Sequence, residues 1–407
     1  MRIGLLSWAY PPEKSGLSRA AAEIAQSLAA AGHDVRVVTL DRTGRSRDGD
    51  VEVIGAVRER DWLARVRRWP AIGHLAGPAM MARAVRRLHA ERPFDVVEAT
   101  NWYAPGLWVA LTGPVPLVTR NSTPVATSGG RGGSLRDRID RHAAILAEAV
   151  AARASAGLVS NTQAHGEKIA ALYRTVPPGP GHAVIGLSLP PAIVAAGRAA
   201  SYPPGNAVLR MLFVGRNEPR KGIDALLGAL PDLSAEADAG TIPDFRLTMI
   251  GLHRHELGGL PPAALRRIES HHRIGDDGLF AALAAADVVV APSRYESFGL
   301  VYQEAMMFAR PIAACSEDPS ARLFVGDTGA GLLAEDCTAA ALGGVLRRML
   351  CDEDLRTALS AAARVAAGRF TRATLASETV AAYSAAVIGR SNAASSSGRP
   401  APADIAA

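Results

Sequence analysis

The chain has 407 residues, a formal net charge of +6 and 48% hydrophobic residues. This length exceeds what one hydrophobic core usually holds, which favours two domains, and the composition is typical of a globular protein. Three cysteines do not suit a disulfide framework, and no stretch reaches the roughly 18 apolar residues of a membrane-spanning helix. We therefore expect a cytoplasmic protein.

The first half of the chain alternates strand-like and helix-like segments. "RIGLLSW" (2–8) predicts a first buried strand rather than a signal peptide. A helical segment follows, with Ser18 as the expected N-cap and Gly32 as the expected stop, and then the strand "VRVVTL". This β-α-β order predicts a parallel sheet with helices on both faces. Further strands are predicted at 94–99, 116–120 and 157–161.

The same pattern restarts after a loose segment that follows "VIGLSLPP". A helix is predicted from about Gly222 to Leu230, and strands are predicted at 210–215, 246–251, 286–293 and 309–315. The predicted fold class is therefore α/β, with two Rossmann-like, doubly wound parallel-sheet domains facing each other across a cleft. The predicted boundaries are an N-terminal domain at 1–188, a linker at 189–207, a C-terminal domain at 208–370, a helix at 371–390 that packs back on the N-terminal domain, and a disordered tail at 391–407.

The stretch "FVGRNEPRKGID" (213–224) combines two cations with a helix start. Arg216 and Lys221 lie five positions apart, and Gly222 directly precedes the predicted helix. Paired positive charges, backbone N–H groups and a helix dipole together suit a diphosphate. The alternative is an ordinary strand-to-helix turn with two surface cations.

The stretch "SRYESFGLVYQEAM" (293–306) carries two carboxylates, Glu296 and Glu304, separated by eight positions. Helical geometry would place them more than about 10 Å apart. That is too far for the two carboxylates of a glycoside hydrolase, which lie roughly 5–9.5 Å apart. We expect them to hold two ends of one elongated ligand, a sugar and a ribose, with a diphosphate between them at the helix start. An amphipathic helix with ordinary glutamates is the alternative.

Two further features bear on ligand class. Gly16, in "PPEKSGLSRAAAEIA" (11–25), lets the backbone approach a ligand after the first strand. No G-x-G-x-x-G follows that strand, which argues against a nicotinamide dinucleotide. Nine arginines occur from Arg58 to Arg92, against Glu59, Asp61 and Glu91. Such a cluster suits an anionic membrane or an acidic substrate, or is a solvated helical face; nucleic acid is not expected, because no reading motif accompanies it.

These motifs resemble those of the family 4 glycosyltransferases, which have the GT-B fold. The resemblance extends over most of the chain, in "YPPEKSGLSRAAAEIAQSLAAAGHDVRVVT", "FDVVEATNWYAPGL", "RNSTP", "FVGRNEPRKGID" and, most closely, "AADVVVAPSRYESFGLVYQEAMMFARPI", which matches the family's E-x7-E element. It implies retention of anomeric configuration, a nucleotide-diphosphate sugar as donor and no cofactor. No Asp-x-Asp is positioned to hold a divalent ion, so we expect no metal either.

The resemblance also implies roles for individual residues. Glu296, Arg216 and Lys221 would be catalytic: Glu296 would contact the transferred sugar, and the two cations would neutralise the leaving diphosphate. Glu304 would bind the ribose. The implied donor-binding residues are Gly16, Gly215, Arg216, Lys221, Arg273, Ile274, Gly275, Ser297, Phe298, Gly299, Leu300 and Glu304. On the acceptor side the candidates are Asn101, Trp102 and Ser122.

The chain departs from the family pattern mainly on the acceptor side. Glu98-Ala99-Thr100 stands where H-A-H is common, and Ser122 stands where the family often has a histidine in "R-x-H-T-P". Ser122 can hydrogen-bond a sugar hydroxyl but cannot accept a proton at neutral pH. The segment "CSEDPSARLFV" (315–325) replaces a glycine-rich G-G-x-P-E.

The expected function is therefore a metal-independent, retaining glycosyl transfer to a small soluble acceptor. A membrane-surface enzyme acting on a lipid, contacting anionic membrane through Arg58–Arg92, is the second reading. A sugar-nucleotide epimerase of the same fold and a non-catalytic nucleotide-sugar binder are the remaining alternatives.

Overall fold

The computed structural model describes residues 1–13, 15–57, 61–128, 134–202, 205 and 207–396. They form two compact units. The first unit comprises the described residues of 1–127, 131–188 and 371–407, and the second comprises those of 128–130 and 189–370.

The first unit is built on a mainly parallel sheet. Its described strands are β1 (Arg2–Ser7), β2 (Asp34–Thr39), β3 (Arg45–Asp48), β4 (Val51–Gly55), β5 (Val96–Thr100), β6 (Leu117–Arg120), β7 (Gly157–Ser160) and β8 (His182–Val184). Their order across the sheet is β3-β4-β2-β1-β5-β6-β7-β8, and of these pairs only β3–β4 is antiparallel. The helices between them are α1 (Gly16–Ala30), α2 (Trp62–Val66), α3 (Gly73–Glu91), α4 (Leu107–Thr112), α5 (Leu135–Ala154) and α6 (Gln163–Tyr173).

The second unit repeats this architecture with a parallel sheet. Its described strands are β9 (Val208–Val214), β10 (Asp244–Ile250), β11 (Ile268–His271), β12 (Val288–Ala291), β13 (Ile312–Cys315) and β14 (Gly331–Ala334). They follow the order β11-β10-β9-β12-β13-β14. The helices are α7 (Pro191–Ala199), α8 (Ile223–Asp238), α9 (Pro262–Leu265), α10 (Asp276–Ala285), α11 (Leu300–Met307), α12 (Pro319–Ala321), α13 (Ala339–Cys351) and α14 (Glu353–Ala366).

The chain returns to the first unit in its last helix, α15 (Arg372–Ser396). Arg372 binds the buried carboxylate of Glu23 on α1 through two hydrogen bonds of 2.8 and 2.6 Å. The Tyr383 hydroxyl donates to Glu98 Oε2 on β5 at 2.8 Å. Helix α15 is thus attached to the first unit by buried polar contacts.

Buried apolar strands explain why each sheet forms. The four residues of β12, "VVVA", are all buried, and so are those of β13. Strands that are apolar on both faces suit a parallel sheet covered by helices on both sides. The cores lie between the sheets and these helices: Leu226 and Leu230 of α8, for example, pack with Phe245 and Met249 of β10.

Three local expectations need correction. Ser15, not Ser18, is the N-cap of α1; Ser18 completes a capping box, because its hydroxyl accepts from the Ser15 backbone N–H. The segment 189–207 is not uniformly loose: it contains α7, which Pro191 starts at a position where a missing N–H is harmless. In the segment 391–407, residues 391–396 continue α15, and residues 397–407 lie outside the described part of the chain.

Candidate active site

The catalytic candidates of the second unit lie where its strand order reverses. The chain runs from β9 outward through β10 and β11, and then continues at β12 on the other side of β9. The turn after β9 contains Lys221, and the loop after β12 contains Glu296. In open α/β sheets, ligands bind at the carboxyl ends of the strands at such a switch point.

Gly222 allows these two loops to approach each other. Its φ is +65°, and a Cβ there would lie 1.8 Å from the carbonyl oxygen of Pro292. No side chain fits in that space. The loops are also joined by a backbone hydrogen bond of 2.8 Å from Arg294 N–H to the Arg220 carbonyl.

The Glu296 carboxylate is buried among three donors. Lys221 Nζ donates to Oε1 at 2.5 Å, Ser293 Oγ donates to Oε1 at 2.8 Å, and Arg220 Nη1 donates to Oε2 at 3.0 Å. Burial raises the pKa of the Glu296 carboxyl, but Lys221 and Arg220 lower it by more, so this pKa lies below its usual value. Glu296 is therefore ionised at neutral pH, which suits stabilisation of positive charge rather than proton donation.

A second buried carboxyl group holds the backbone of Glu296. Asp318 Oδ1 accepts from the Glu296 N–H at 3.0 Å and from the Ser320 N–H at 3.1 Å, and Oδ2 accepts from the Tyr302 hydroxyl at 2.8 Å. Burial, and next the negative charge of Glu296, raise the pKa of Asp318 to about 6. Ser320 Oγ also donates to the Glu296 carbonyl at 3.0 Å. These contacts fix the loop that presents Glu296.

Arg216 does not join this cluster. Its side chain is 79% exposed, and Nη2 forms an ion pair of 2.6 Å with Glu218 Oε1. The same carboxylate pairs with Arg220, whose Nε lies 2.7 Å from Glu218 Oε2. Lys221 therefore contacts Glu296 directly. Arg216 instead contacts Glu218, which in turn pairs with Arg220.

The remaining donor candidates occupy loops and helix starts of the second unit. Gly299 is the N-cap of α11 with φ +82°, and Leu300 is its first residue. The Phe298 ring packs edge-on against Phe324 and Phe370, and the residue is buried. Ser297 and Glu304 are half-buried, and Glu304 lies in the second turn of α11.

The predicted nucleobase loop follows β11. Arg273 is exposed, Ile274 is half-buried, and Gly275 is the N-cap of α10. His272, beside this loop, stacks on His253 with ring centroids 3.6 Å apart.

The two glycine candidates outside these loops differ in their surroundings. Gly215 directly follows β9, and a Cβ there would lie 3.0 Å from the Phe213 ring. Gly16 is the first residue of α1 in the first unit, and a Cβ there would meet nothing within 4 Å.

The acceptor-side candidates of the first unit form a hydrogen-bonded group at the ends of β5 and β6. Asn101 Oδ1 accepts from the Ser122 N–H at 2.7 Å and from its Oγ at 2.9 Å, and Asn101 Nδ2 donates to the Tyr173 hydroxyl at 2.9 Å. Trp102 follows Asn101, and its backbone carbonyl accepts from the Trp8 indole N–H. Ser122 is therefore held by Asn101 rather than by a charged group.

The Glu148 carboxylate of α5 binds the loops that follow β5 and β6. It accepts from the Tyr173 hydroxyl at 2.7 Å, from the Tyr103 N–H at 3.0 Å and from the Val125 N–H at 3.2 Å. Burial raises the pKa of Glu148 to about 7, against the lowering effect of these hydrogen bonds.

Glu98, which stands where the family often has histidine, has a structural partner. It binds Arg120 through hydrogen bonds of 2.9 and 3.0 Å, and Arg120 also donates to Thr379 of α15 at 2.9 Å. Both side chains are almost fully buried. The departure from the family motif therefore serves an internal ion pair that anchors α15.

Sequence reasoning missed Arg220, Ser293, Asp318 and Tyr302. Arg220 is adjacent to Lys221, so "PRKG" offered two cations where only Lys221 was selected. Asp318 lies in "CSEDPSARLFV", where the departure from the family pattern was a signal that the local contacts had changed. The contacts of Arg220 and Asp318 with Glu296 do not follow from the spacing of these residues along the chain.

Within the described residues, no group of three or more His, Cys, Asp or Glu side chains could hold a metal ion. None of the helices in that part of the chain is long and apolar enough to cross a membrane.

Two α/β units built on parallel sheets, with Glu296 at the switch point of the second sheet and Glu304 on the helix that follows, define a glycosyltransferase of the GT-B fold. Two family models match the chain: "Glycosyl transferase 4-like domain" over residues 15–185 and "Glycosyl transferases group 1" over residues 206–366. The chain belongs to the family 4 glycosyltransferases and is an enzyme of that type.

Individual relatives agree with this assignment. A D-inositol 3-phosphate glycosyltransferase from Kineococcus radiotolerans is 31% identical, covering 90% of this chain and 91% of that protein. A glycogen synthase from Mycobacterium tuberculosis is 29% identical, covering 86% of each chain. Among solved structures, sucrose-phosphate synthase from Thermosynechococcus elongatus matches with a TM-score of 0.68 at 20% identity, covering 97% of this chain and 98% of that one.

Proposed function

We propose that this glycosyltransferase moves a sugar from a nucleotide-diphosphate sugar to a small soluble acceptor, with retention of anomeric configuration and without a metal ion. The observation that carries the donor proposal is the buried Lys221–Glu296–Arg220 cluster at the switch point of the second sheet. In this cluster an ionised carboxylate lies beside two cations. The carboxylate would stabilise positive charge on the sugar, and the cations would stabilise negative charge on the diphosphate.

Lys221 has donors left for a ligand. An ammonium has three N–H donors, and within the described residues Lys221 Nζ uses one of them, on Glu296. Lys221, Arg220 and the exposed Arg216 would neutralise the charge that develops on the leaving diphosphate. Glu296 would stabilise the positive charge that develops on the sugar ring. Glu304 would bind the ribose hydroxyls.

The proposed reaction is a same-face displacement. The bond between the anomeric carbon and the diphosphate oxygen breaks, and the acceptor oxygen bonds to the same face of that carbon. The acceptor hydroxyl passes its proton to the leaving phosphate oxygen. This route needs no protein base, which is consistent with Ser122 and its neutral Asn101 contact in place of a histidine.

A thermal-shift panel of UDP-, GDP-, ADP- and dTDP-sugars tests the donor proposal. A tight donor should raise the melting temperature, because it binds only the folded state. No shift with any of them would contradict the proposal. With a responding donor, retention is checked from the anomeric configuration of the product, and activity should survive EDTA.

The same assay separates the alternatives. Release of free nucleotide with an altered sugar and no acceptor would identify an epimerase. Donor binding without turnover on any acceptor would identify a non-catalytic binder.

A lipid acceptor at a membrane surface is the second candidate, because the first unit exposes large apolar side chains among arginines. These side chains lie on two segments, residues 62–75 and residues 135–140. Asp140 links the two segments, because its Oδ1 accepts from the Ala71 N–H at 2.8 Å. The exposed apolar residues on them are Trp62, Trp69, Ile72, Leu75, Leu135 and Ile139. Such a mixture suits the interface of an anionic membrane.

The arginine cluster itself is only partly available for such a contact. Residues 58–60 lie outside the described part of the chain. Arg83 pairs with Asp61, Arg87 with Glu91 and Arg92 with Asp34. Arg86 donates to Thr112 Oγ1 at 2.6 Å. Arg65, Arg67 and Arg68 are the exposed members of the cluster without such an ion pair within the described residues.

Co-sedimentation with phosphatidylglycerol vesicles tests the lipid candidate. Binding should weaken with salt and in the variant Trp69→Ala/Leu135→Ala, whereas Val365→Ala, an exposed apolar control on α14, should bind like the wild type. Absence of vesicle binding would remove this candidate.

A further inference from the structure

The first unit contains a cavity at the switch point of its own sheet. The chain runs from β1 outward through β2 and β4, and then continues at β5 on the other side of β1. Trp8 follows β1, Trp102 follows β5, and both line a cavity of about 740 Å³. A cavity of this size and position suits a small molecule.

Aromatic rings form one wall of this cavity. Trp102 meets Tyr103 edge-on with ring centroids 5.0 Å apart, and Tyr103 stacks on His74 at 5.2 Å. Trp8 and Trp69 add two indoles to the lining. Flat rings of this kind bind the faces of a ring-shaped ligand with little loss of side-chain entropy.

Three arginines line the same cavity: Arg67, Arg68 and Arg136. The Arg67 guanidinium lies over the Trp8 ring, 5.4 Å from its centroid. Among the residues that the structure describes, no carboxylate forms an ion pair with any of these arginines. Their guanidinium groups therefore keep their donors for a ligand.

The two carboxylates of the lining are already engaged by the protein. Asp137 Oδ2 accepts from the Ser134 N–H at 2.9 Å and from Ser134 Oγ at 2.8 Å at the start of α5. Asp140 Oδ1 lies 2.9 Å from His74 Nε2 and accepts from Ala71 N–H. Within the described residues, the arginines of the lining are therefore available to an anion, whereas its carboxylates are hydrogen-bonded to the protein.

We infer that this cavity binds an acceptor that carries an anionic group, a phosphate or a carboxylate, on a ring-shaped body. The arginines bind the anion, and the indole rings contact the body. The inference rests on the proposed function, which makes the bound molecule an acceptor, and it specifies the chemistry of that acceptor. A phosphate of this kind belongs either to a free phosphorylated polyol or to the headgroup of a phospholipid.

Tryptophan fluorescence tests the inference, with matched probes for each source. We expect quenching by glucose 6-phosphate or inositol 1-phosphate at concentrations where glucose and inositol have no effect, and competition by inorganic phosphate. Phosphatidylinositol vesicles replace these probes in the second arm, with phosphatidylcholine vesicles as their neutral counterpart. A response confined to one arm identifies the source.

Variants then locate the anion. Arg67→Gln/Arg68→Gln/Arg136→Gln should weaken the phosphate-dependent binding at least about tenfold and reduce its salt dependence. Arg47→Gln/Arg174→Gln/Arg348→Gln removes the same charge at exposed arginines that do not line the cavity and should bind like the wild type. The melting-temperature shift given by the donor sugar should be unchanged in both variants.

Two results would overturn the inference. One is that phosphorylated probes in both arms bind no better than their neutral counterparts. The other is that the control variant loses as much affinity as the cavity variant. A donor shift that is absent in every variant, wild type included, would instead count against the proposed function.

Discussion

Lys221 Nζ and Glu296 Oε1 lie 2.5 Å apart, although the two residues are separated by 75 positions in the chain. Gly222 makes this contact possible, because only a residue without a Cβ can approach the Pro292 carbonyl so closely. The cation proposed to bind the diphosphate and the carboxylate proposed to contact the sugar are thus parts of one buried group.

Removing either partner should therefore abolish transfer. Glu296→Ala and Lys221→Ala should each lower kcat/KM at least about 100-fold, because each removes charge that the transition state requires. Steady-state kinetics with the identified donor measures this. Lys168→Ala, an exposed lysine on α6, is the control and should behave as the wild type. Near-normal activity of Glu296→Ala would contradict the site assignment.

Substitutions of Arg216 and Arg220, the two arginines between β9 and α8, should differ in their effect on stability. Arg220→Ala should lower the free energy of unfolding by about 3 kcal/mol, because it leaves the buried Glu296 carboxylate short of a partner. Arg216→Ala should leave unfolding nearly unchanged, since its side chain is mostly exposed, but should weaken the donor-induced melting shift. Urea unfolding and thermal shift measure the two effects. Equal loss of stability in both variants would contradict the difference in burial.

Asp318 should make stability depend on pH. Its pKa is raised to about 6 in the folded protein, from an ordinary value of 3.8, so the folded state keeps a proton that the unfolded state releases. This contribution is fully present below about pH 4 and is lost as pH rises through about 6. The total is about 3 kcal/mol, at about 1.4 kcal/mol per pH unit.

Asp318→Asn removes this titration and keeps an oxygen for the Glu296 and Ser320 N–H groups. Relative to the wild type, its free energy of unfolding should therefore rise by about 2.5 kcal/mol between pH 4 and pH 7.5. Urea unfolding across this range measures the difference. Asp327→Asn, at an exposed position, should give a curve parallel to that of the wild type. A parallel curve for Asp318→Asn would show that Asp318 does not titrate there.

The Glu98–Arg120 pair should be necessary for the stability of the first unit. Glu98→Gln should destabilise it by about 3 kcal/mol, because Arg120 is buried and would lose its counter-charge. Tyr383→Phe should have a smaller effect, about 2 kcal/mol, since it removes one hydrogen bond to a charged group. Hydrogen exchange of the α15 amides would show whether the helix is released. A Tyr383→Phe variant with unchanged exchange would mean that this contact does not hold α15.

Much of the fold was predictable because its signals are local. The strand at 286–293 was predicted from a run of β-branched residues, and β12 lies within it at Val288–Ala291. The start of α8 followed from Gly222, and a helix start was expected between Glu296 and Glu304, where Gly299 precedes α11. The linker was mistaken for a loose segment because nine residues of α7 sit between prolines and glycines that favour loops.

The partners of the site residues were less predictable. Arg216 and Lys221 share one turn and read alike in the sequence, yet one is exposed and the other is bound to Glu296. Ser122 was expected to be able to hydrogen-bond a sugar hydroxyl, and the sequence did not indicate that Asn101 holds it through two hydrogen bonds.

The sequence by itself determined the α/β class, the two-unit organisation and the glycosyltransferase family, because residue periodicity and contiguous motifs carry that information. The tertiary structure decided which groups meet: Arg220 with Glu296, Glu98 with Arg120, and arginines with tryptophans around one cavity. The physical reason is that these groups lie on separate segments, whose approach depends on how β-α crossovers pack and on glycines such as Gly222 that permit close contact. Electrostatic energy depends on that separation and burial, and neither is written in the spacing along the chain.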